Sequence, residues 1–280
     1  MSHGEVGTLY DSSVCSTGKG KSKSSIRKVT YGFHLVEGKQ GHAMEDYHVA
    51  EFKQVHGYEV GLFAIFDGHS GQDVASYLRN HLFDNILHEP DFWTDTMSAI
   101  RRAYHRTDRK ILKRKANDVR RRGGSTAVTV IVINGEKLVV ANIGDSRAVI
   151  CEEGVARQLS VDHEPLKERS LIESKGGFVT NEIGNVPRVD GQLAMSRSFG
   201  DRTLKEHISS DPDVVIEDID EDAEFIILAS DGLWKVMSNQ EAVETIKDIK
   251  DARRAAMELI EEALLRKSKD DISCIVVHLC

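Results

Sequence analysis

The sequence has little of several features that define specialised classes of protein. Only 4 of its 280 residues are proline, which excludes a chain built from proline-rich linkers. No apolar run reaches the roughly 18 residues that a membrane-spanning helix needs, and the polar N-terminus lacks the apolar core of a secretory signal. Position 2 is Ser rather than the glycine that myristoylation requires. We therefore expect a cytoplasmic or nuclear protein that does not associate with membranes.

Cysteine is equally scarce, and basic residues are outnumbered. The 4 cysteines form no Cys-x-x-Cys pair, so the sequence predicts free thiols rather than a structural zinc site or a disulfide framework. Lys and Arg total 37 against 45 Asp and Glu, which gives a formal net charge of −8. Because a dedicated nucleic-acid-binding protein needs a basic surface, we expect no nucleic-acid partner.

The composition divides the chain into two parts. Residues 1–28 are rich in Ser, Gly and Lys and lack apolar periodicity, which predicts a flexible basic leader. Residues 29–280 contain no linker-like stretch and no internal repeat, so we expect them to form a single domain. The basic stretch at 113–122 fits either a nuclear import signal or the solvated end of a helix, and the sequence leaves both interpretations open.

Short runs of β-branched residues are abundant and predict strands. They cover 47–52, 60–66, 126–133, 137–143, 147–151, 225–229 and 273–279. Asn134-Gly135 predicts a hairpin between two of them. Helices are predicted over 71–88, 95–116 and 251–266, and a further one behind the capping box Ser238-x-x-Glu241. The order shows no βαβ alternation, so the predicted class is α+β, with stacked sheets between outer helices.

Carboxylates stand beside small residues where these strands begin or end. Asp67, Asp145 and Asp231 follow strands, while Glu45-Asp46 and Asp270-Asp271 precede strands. A single Asp-Gly is typical of a turn alone. Five such strand ends that converged would form an oxygen-rich site, and carboxylate oxygens are the ligands of Mg²⁺ and Mn²⁺.

The motifs around these carboxylates resemble those of the metal-dependent protein phosphatases of type 2C, in plant-like form, over residues 31–280. They are, in order, Met44-Glu45-Asp46, Asp67-Gly68-His69-Ser70-Gly71, Gly124-Ser125-Thr126-Ala127, Gly144-Asp145-Ser146-Arg147, Asp162-His163-Glu164-Pro165, Gly176-Gly177, Arg188–Arg197, Gly200-Asp201, Ala229–Trp234 and Asp270-Asp271-Ile272-Ser273. The resemblance implies a β-sandwich of two antiparallel sheets flanked by helices, a four-layer αββα fold. It also implies that 29–280 is the catalytic domain, with a flap at about 160–191.

The resemblance implies a serine/threonine phosphatase of signalling phosphoproteins, which attacks phosphate with a hydroxide bridging two Mg²⁺ or Mn²⁺ ions. His69 is then the general acid that protonates the leaving oxygen. The implied metal ligands are Glu45, Asp67, Gly68, Asp231 and Asp270, and Asp46, Thr126 and Asp145 lie behind them, Asp145 also being a candidate ligand of a third ion. A catalytically weak phosphoprotein-binding or scaffold member is the alternative, and a small-molecule phosphohydrolase is a third reading.

Three departures from the family pattern carry expectations of their own. Lys235 stands where the family often has a second Asp, which disfavours a third ion. Gly41 stands where the family commonly has a phosphate-gripping Arg, so Lys39 becomes the candidate phosphate-binding cation. Gly184 takes the place of a flap Trp, so we expect no gating by receptors of the abscisic-acid type.

We expect a monomer.

Overall fold

The computed structural model of the protein describes residues 15–23, 27–113 and 123–280. Its strands are β1 Cys15–Lys21, β2 Val29–Val36, β3 Tyr47–Val55, β4 Tyr58–Phe66, β5 Gly68–His69, β6 Gly124–Ser125, β7 Ala127–Ile133, β8 Lys137–Ile143, β9 Arg147–Glu152, β10 Val155–Gln158, β11 Val179–Thr180, β12 Arg188–Val189, β13 Phe199–Gly200, β14 Asp213–Asp218, β15 Ala223–Ala229 and β16 Ile272–Leu279. Its helices are α1 Asp73–Leu87, α2 Thr96–Lys113, α3 Arg169–Ser174, α4 Asp231–Trp234, α5 Asn239–Ile246 and α6 Ala252–Leu265.

Two large antiparallel sheets form the centre of the molecule. One has six strands in the order β1-β2-β16-β15-β9-β10, and the other has five in the order β14-β8-β7-β4-β3. Their facing surfaces share a core that includes Phe63, Val128, Ile150 and Ile275. Because β4 and β7 are apolar on both faces, each also buries side chains against helices on its outer side.

Helices cover the outer face of each sheet. In α1 the buried residues Val74, Leu78, Leu82 and Ile86 recur every four positions and pack with α2 against the five-stranded sheet. On the other side, α5 and α6 bury their apolar stripes against the six-stranded sheet. The predicted four-layer αββα β-sandwich is confirmed. No helix within the described ranges is long and apolar enough to span a membrane.

The segment predicted as a flexible leader contains an edge strand. β1 pairs with β2 along its whole length, so residues 15–21 belong to the six-stranded sheet. The residues of β1 have no apolar pattern, so the sequence does not predict a strand there. The strand forms because aromatic rings from β2 cover Gly18 and Gly20. Residues 1–14 and 24–26 of the predicted leader, and residues 114–122 of the basic stretch, lie outside the described residues.

Strand direction brings the predicted carboxylates to one end of the sandwich. The register pairs Tyr47, at the start of β3, with Phe66, at the end of β4. It likewise pairs Ala229, the last residue of β15, with both Arg147 and Cys274. In antiparallel sheets the end of one strand therefore adjoins the beginning of the next, and each of these junctions carries an acidic residue.

Two small sheets and the flap adjoin this end. β13, β6 and β5 form a three-stranded antiparallel sheet of two-residue strands. β11 and β12 pair in the flap, which has its own small core including Ile172, Val179 and Val189. These two small sheets fix the positions of the flap and of the segment after Phe66 beside the strand ends.

Candidate active site

Asp67 lies at the centre of the acidic cluster. Burial raises the pKa of its carboxyl well above the ordinary value, and the charges of Asp46, Asp231, Asp145 and Asp270 raise it further. Four of the predicted carboxylates thus act on the fifth through a low-dielectric interior. The strand ends that carry these groups therefore converge, which the sequence had left as a condition.

The carboxyl pKa values of three neighbouring residues are raised in the same way. Burial is the main cause that raises the pKa of Asp46 to about 7, and it does the same for Asp145. Burial also raises the pKa of Asp231, although the nearby Lys235 lowers it. One carboxylate oxygen of Asp46 and one of Asp145 are buried without a hydrogen-bond partner among the described residues. Buried oxygens of this kind are available to bind a cation.

Backbone and hydroxyl groups hold the cluster in place. Thr126 Oγ1 accepts a hydrogen bond from the Asp67 N–H at 3.1 Å and lies 2.8 Å from Ser146 Oγ. Ser273 Oγ donates to Asp46 Oδ2 at 2.7 Å. Thr126 and Asp46 thus adjoin Asp67, and the roles that the resemblance implies for them stay predictions.

Asp271 holds the 38–45 loop in place, a structural role that the sequence did not reveal. Its two oxygens accept hydrogen bonds from the N–H of Gly38 at 2.7 Å and of Glu45 at 2.8 Å, so it clamps both ends of the 38–45 loop. Glu45 Oε1 in turn accepts from the Gly71 N–H at 2.6 Å. A Cβ on Gly68 would lie 2.6 Å from the Glu45 carbonyl oxygen, which explains the glycine.

Lys235 places a positive charge inside the acidic cluster. Its Nζ lies 2.6 Å from Asp231 Oδ2 and 3.0 Å from Asp270 Oδ2. Burial lowers the pKa of Lys235, but the charges and hydrogen bonds of the two carboxylates outweigh burial and leave it raised. Within the described ranges no group of three or more His, Cys, Asp or Glu side chains is arranged to hold a metal ion. The predicted ligand set therefore stays a prediction.

The donor chemistry of the cluster fits a divalent cation even so. Buried carboxylates whose oxygens lack partners are hard oxygen donors, the kind that Mg²⁺ and Mn²⁺ prefer. Their mutual repulsion raises several carboxyl pKa values, and bound positive charge would relieve it. Lys235 already supplies one such charge to Asp231 and Asp270.

His69 is paired with the carboxylate of Asp201, a contact that the motif Gly200-Asp201 does not reveal by itself. Its Nε2 lies 2.9 and 2.8 Å from the two oxygens of Asp201. Burial lowers the pKa of His69, but the hydrogen bond and charge of Asp201 more than offset burial, so the pKa is raised. A protonated imidazole is able to donate to a leaving oxygen, as the resemblance implies.

The other predicted features lie nearby or elsewhere. The Lys39 side chain is exposed, and the backbone N–H of Lys39 donates to the Lys269 carbonyl, so its role as the phosphate-binding cation stays a prediction. Gly41 has a φ of +82° and open space around its Cβ position. Gly184 is likewise exposed in the flap, while Trp93 stacks on Tyr58 at the far end of β4.

Comparison with known structures identifies the fold. The structure matches the crystal structure of serine-threonine phosphatase 2C from Toxoplasma gondii with a TM-score of 0.82, covering 95% of this chain and 99% of that one. The two chains are 24% identical, so the match establishes the fold alone. It is the four-layer sandwich of the type 2C phosphatases.

Sequence comparison identifies the family itself. The Protein phosphatase 2C family model matches residues 33–272. Probable protein phosphatase 2C 62 of Oryza sativa subsp. japonica is 63% identical over 280 residues, covering 99% of this chain and 96% of the rice protein. Probable protein phosphatase 2C 58 of Arabidopsis thaliana is 64% identical over 260 residues, covering 93% and 91%. The chain belongs to the protein phosphatase 2C family, in plant-like form, and is a protein phosphatase.

Proposed function

We propose that this chain is a Mg²⁺- or Mn²⁺-dependent phosphatase that removes phosphate from serine and threonine residues of phosphoproteins. The observation that carries the proposal is the buried cluster around Asp67, in which four other carboxylates raise its pKa. Such an arrangement is unfavourable unless bound cations offset the charge. Family membership supports the protein substrate, and the unpartnered oxygens of Asp46 and Asp145 support the cation.

The residues divide into two sets of expected ligands. Asp67, Glu45 and the Gly68 carbonyl would hold one ion, and Asp67, Asp231 and Asp270 would hold the other. When bound, the two cations would lower the pKa of a water molecule and offset charge on the phosphoryl oxygens. Thr126 and Ser273 keep Asp67 and Asp46 in position through the hydrogen bonds described above.

The chain's own residues complete the reaction on the leaving-group side. His69 is held by Asp201, which raises its pKa, and donates a proton to the serine or threonine oxygen as the bond to phosphorus breaks. The reaction needs no cysteine nucleophile. Cys151 and Cys274 are buried in the core, and burial raises the pKa of both thiols.

Substitution of Asp67 by Asn tests the proposal. We expect kcat on a phosphothreonine peptide with Mn²⁺ to fall at least about a hundredfold, equivalent to about 2.7 kcal/mol. Calorimetry should show the loss of metal binding. The metal-free Asp67→Asn protein should melt no lower than the wild type, because a neutral amide removes a repelled buried charge.

The exposed Asp248 supplies the control. Asp248→Asn removes one carboxylate outside the cluster and should leave kcat and metal binding unchanged. Full activity of Asp67→Asn, or wild-type activity that does not depend on a divalent cation, would contradict the proposal.

One observation favours a second candidate function. The ion pairs of Lys235 with Asp231 and Asp270 would give a weak enzyme if the ammonium kept a cation out of the site. The chain would then bind phosphoproteins without efficient turnover. Binding of a phosphothreonine peptide without hydrolysis at saturating Mn²⁺ would support this candidate over the first.

A further inference from the structure

The small three-stranded sheet places His69 in one row with two glycines. His69 of β5 pairs with Gly124 of β6, which pairs with Gly200 of β13. Asp201 follows Gly200 directly, so the sheet carries Asp201 to the histidine although 132 positions separate the two residues in the chain. A two-residue strand buries little surface, so its main effect is to align His69 with the segment that carries Asp201.

The contact between His69 and Asp201 is buried and tightly constrained. Asp201 is 6% exposed, and both of its oxygens lie within 2.9 Å of His69 Nε2. Ser198 Oγ donates to Asp201 Oδ2 at 2.5 Å, and the Asp201 N–H donates to the Gly123 carbonyl at 3.1 Å. Asp201 adopts a φ of +45°, a left-handed conformation that few residues other than Gly, Asn and Asp adopt readily.

The neighbouring glycine makes room for the pair. A Cβ on Gly124 would overlap Asp201 Oδ2 and lie 2.6 Å from His69 Nε2. Gly124 does not have a positive φ, so its backbone conformation does not require glycine. Glycine is required there because the side chains of His69 and Asp201 occupy the space that a Cβ would need.

A second buried pair anchors the segment that carries Asp201. Asp108 of α2 accepts a hydrogen bond from the Gly200 N–H at 2.9 Å and lies 3.2 Å from Lys205 Nζ. Lys205 also donates to the Ser198 carbonyl at 2.8 Å. The residues on both sides of Asp201 are therefore fixed to a long helix, and its carboxylate has a set position before substrate arrives.

We propose that Asp201 is a positioning residue for the leaving-group step: it holds the His69 ring through Nε2 and leaves Nδ1 for the departing oxygen. This inference rests on the phosphatase function proposed above. Nδ1 is buried and has no hydrogen-bond partner within the described part of the chain, so it is the ring nitrogen that lacks an assignment. It would act on the oxygen directly or through one water.

The proposed step is balanced. A water oxygen forms a bond to phosphorus while the bond between phosphorus and the serine or threonine oxygen breaks. The departing oxygen takes the Nδ1 proton of the imidazolium. One water proton stays on the phosphate, and the other returns to the imidazole. Asp201 keeps its charge throughout and stabilises the imidazolium before the proton leaves.

The test compares two leaving groups in Asp201→Asn, since Asn tolerates the left-handed conformation of this position. On a phosphothreonine peptide, whose oxygen needs a proton to depart, kcat should fall about 10- to 100-fold with little change in KM. On p-nitrophenyl phosphate, whose nitrophenolate departs unprotonated, kcat should stay within about twofold. Loss on both substrates alike would overturn the proposal, and so would loss on neither.

Further variants separate positioning from folding. Gly124→Ala and Ser198→Ala disturb the pair without removing Asp201, and both should show the same selective loss on the peptide. In a His69→Ala background, Asp201→Asn should have no further effect, because the two residues act as one unit. Asp211→Asn is the matched control, since it removes the carboxylate of a surface histidine pair with His105 and should change neither rate.

Nitrogen NMR of the His69 ring tests the positioning role of Asp201 separately from the phosphatase activity. The wild type should show a hydrogen-bonded Nε2–H, and Asp201→Asn should shift or lose that signal. An unchanged signal would overturn the positioning role. A wild-type protein that hydrolyses neither substrate would instead overturn the proposed function, and the NMR comparison would still decide whether Asp201 positions His69.

Discussion

Lys235 gives the acidic cluster an internal counter-charge. Its ammonium bridges Asp231 and Asp270, two of the carboxylates that we propose as metal ligands. Asp231 lies one helical turn before Lys235, which is the spacing at which opposite charges meet on a helix. A divalent cation that binds these two carboxylates must displace the ammonium or share its space. We therefore expect the same side chain to stabilise the metal-free protein and to weaken metal binding.

Substitution of Lys235 by Met should reveal both effects. The metal-free variant should melt at a lower temperature, because Asp231 and Asp270 lose their counter-ion. Its Mn²⁺ affinity by calorimetry should rise by about tenfold, since no cation has to be displaced. Lys247→Met, at an exposed position after α5, is the control and should change neither quantity. An unchanged Mn²⁺ affinity would leave Lys235 as an ordinary surface residue.

Phosphate capture by the 38–45 loop offers a second prediction at this scale. Gly41→Arg would supply the planar cation that the family commonly has there, so KM for a phosphothreonine peptide should fall. Lys39→Ala should raise KM with little change in kcat. Because Gly41 has a φ of +82°, any side chain there should lower stability by about 1 kcal/mol.

A matched glycine separates the added charge from the strain. Gly57 has a φ of +85° and equally open surroundings, but it lies in the β3–β4 turn at the other end of the sandwich. Gly57→Arg should therefore lose similar stability and leave KM unchanged. If KM is the same in Gly41→Arg and Lys39→Ala as in the wild type, phosphate is held by some other group.

Among the secondary-structure elements, β1 shows how glycine-rich sequence becomes sheet. The Phe33 and Tyr31 rings of β2 lie over Gly18 and Gly20 on the adjacent strand, and a Cβ on either glycine would meet a ring at under 3 Å. Aromatic side chains that cover edge glycines in this way stabilise a strand that has little apolar surface. β1 also covers the edge of β2, which would otherwise expose unpaired backbone groups.

Deletion of residues 1–21 tests the part played by β1. The truncated protein should melt a few degrees lower, keep its kcat, and self-associate more strongly through the newly exposed edge of β2. Calorimetry, peptide kinetics and size-exclusion chromatography measure the three effects. Deletion of residues 1–14 leaves β1 intact and is the control. Equal behaviour of the two truncations would show that β1 adds nothing to the sheet.

Local patterns predicted most of the long elements, but they missed the strands β1, β2 and β14 and the elements that depend on distant partners. The β8 strand, the Asn134-Gly135 hairpin and the capping box of α5 all follow from neighbours in sequence. The two-residue strands β5, β6 and β13 do not, since their pairing partners are remote and their residues small or polar. The family resemblance implied which carboxylates gather around Asp67, while the Asp201–His69 contact and the Asp271 clamp required the fold.

At the scale of the whole molecule, a carboxylate links the start of the flap to the body of the protein. Glu168 accepts hydrogen bonds from Arg197 Nε at 2.9 Å and from Ser196 Oγ at 2.8 Å. Burial raises the pKa of Glu168, but these bonds outweigh burial and leave it below the ordinary value. Both Glu168 and Arg197 are 16% exposed, so solvent screens the pair only in part.

The lowered pKa of Glu168 sets the direction of a pH effect. A depressed carboxyl pKa adds stability that is present above the unfolded value of about 4.3 and is lost as the pH falls through the folded value. At pH 7, Glu168→Gln should lower the free energy of unfolding by about 2 kcal/mol, the size of a charge-assisted hydrogen bond. Below about pH 4 the wild type loses the same contribution as Glu168 protonates, so the difference between the two proteins should shrink. Glu173→Gln removes the exposed ion pair with Arg169 and should differ little from the wild type at either pH. A wild-type-to-Glu168→Gln difference in melting that stays constant from pH 7 to pH 3.5 would show that the Glu168 charge adds nothing to the attachment of the flap.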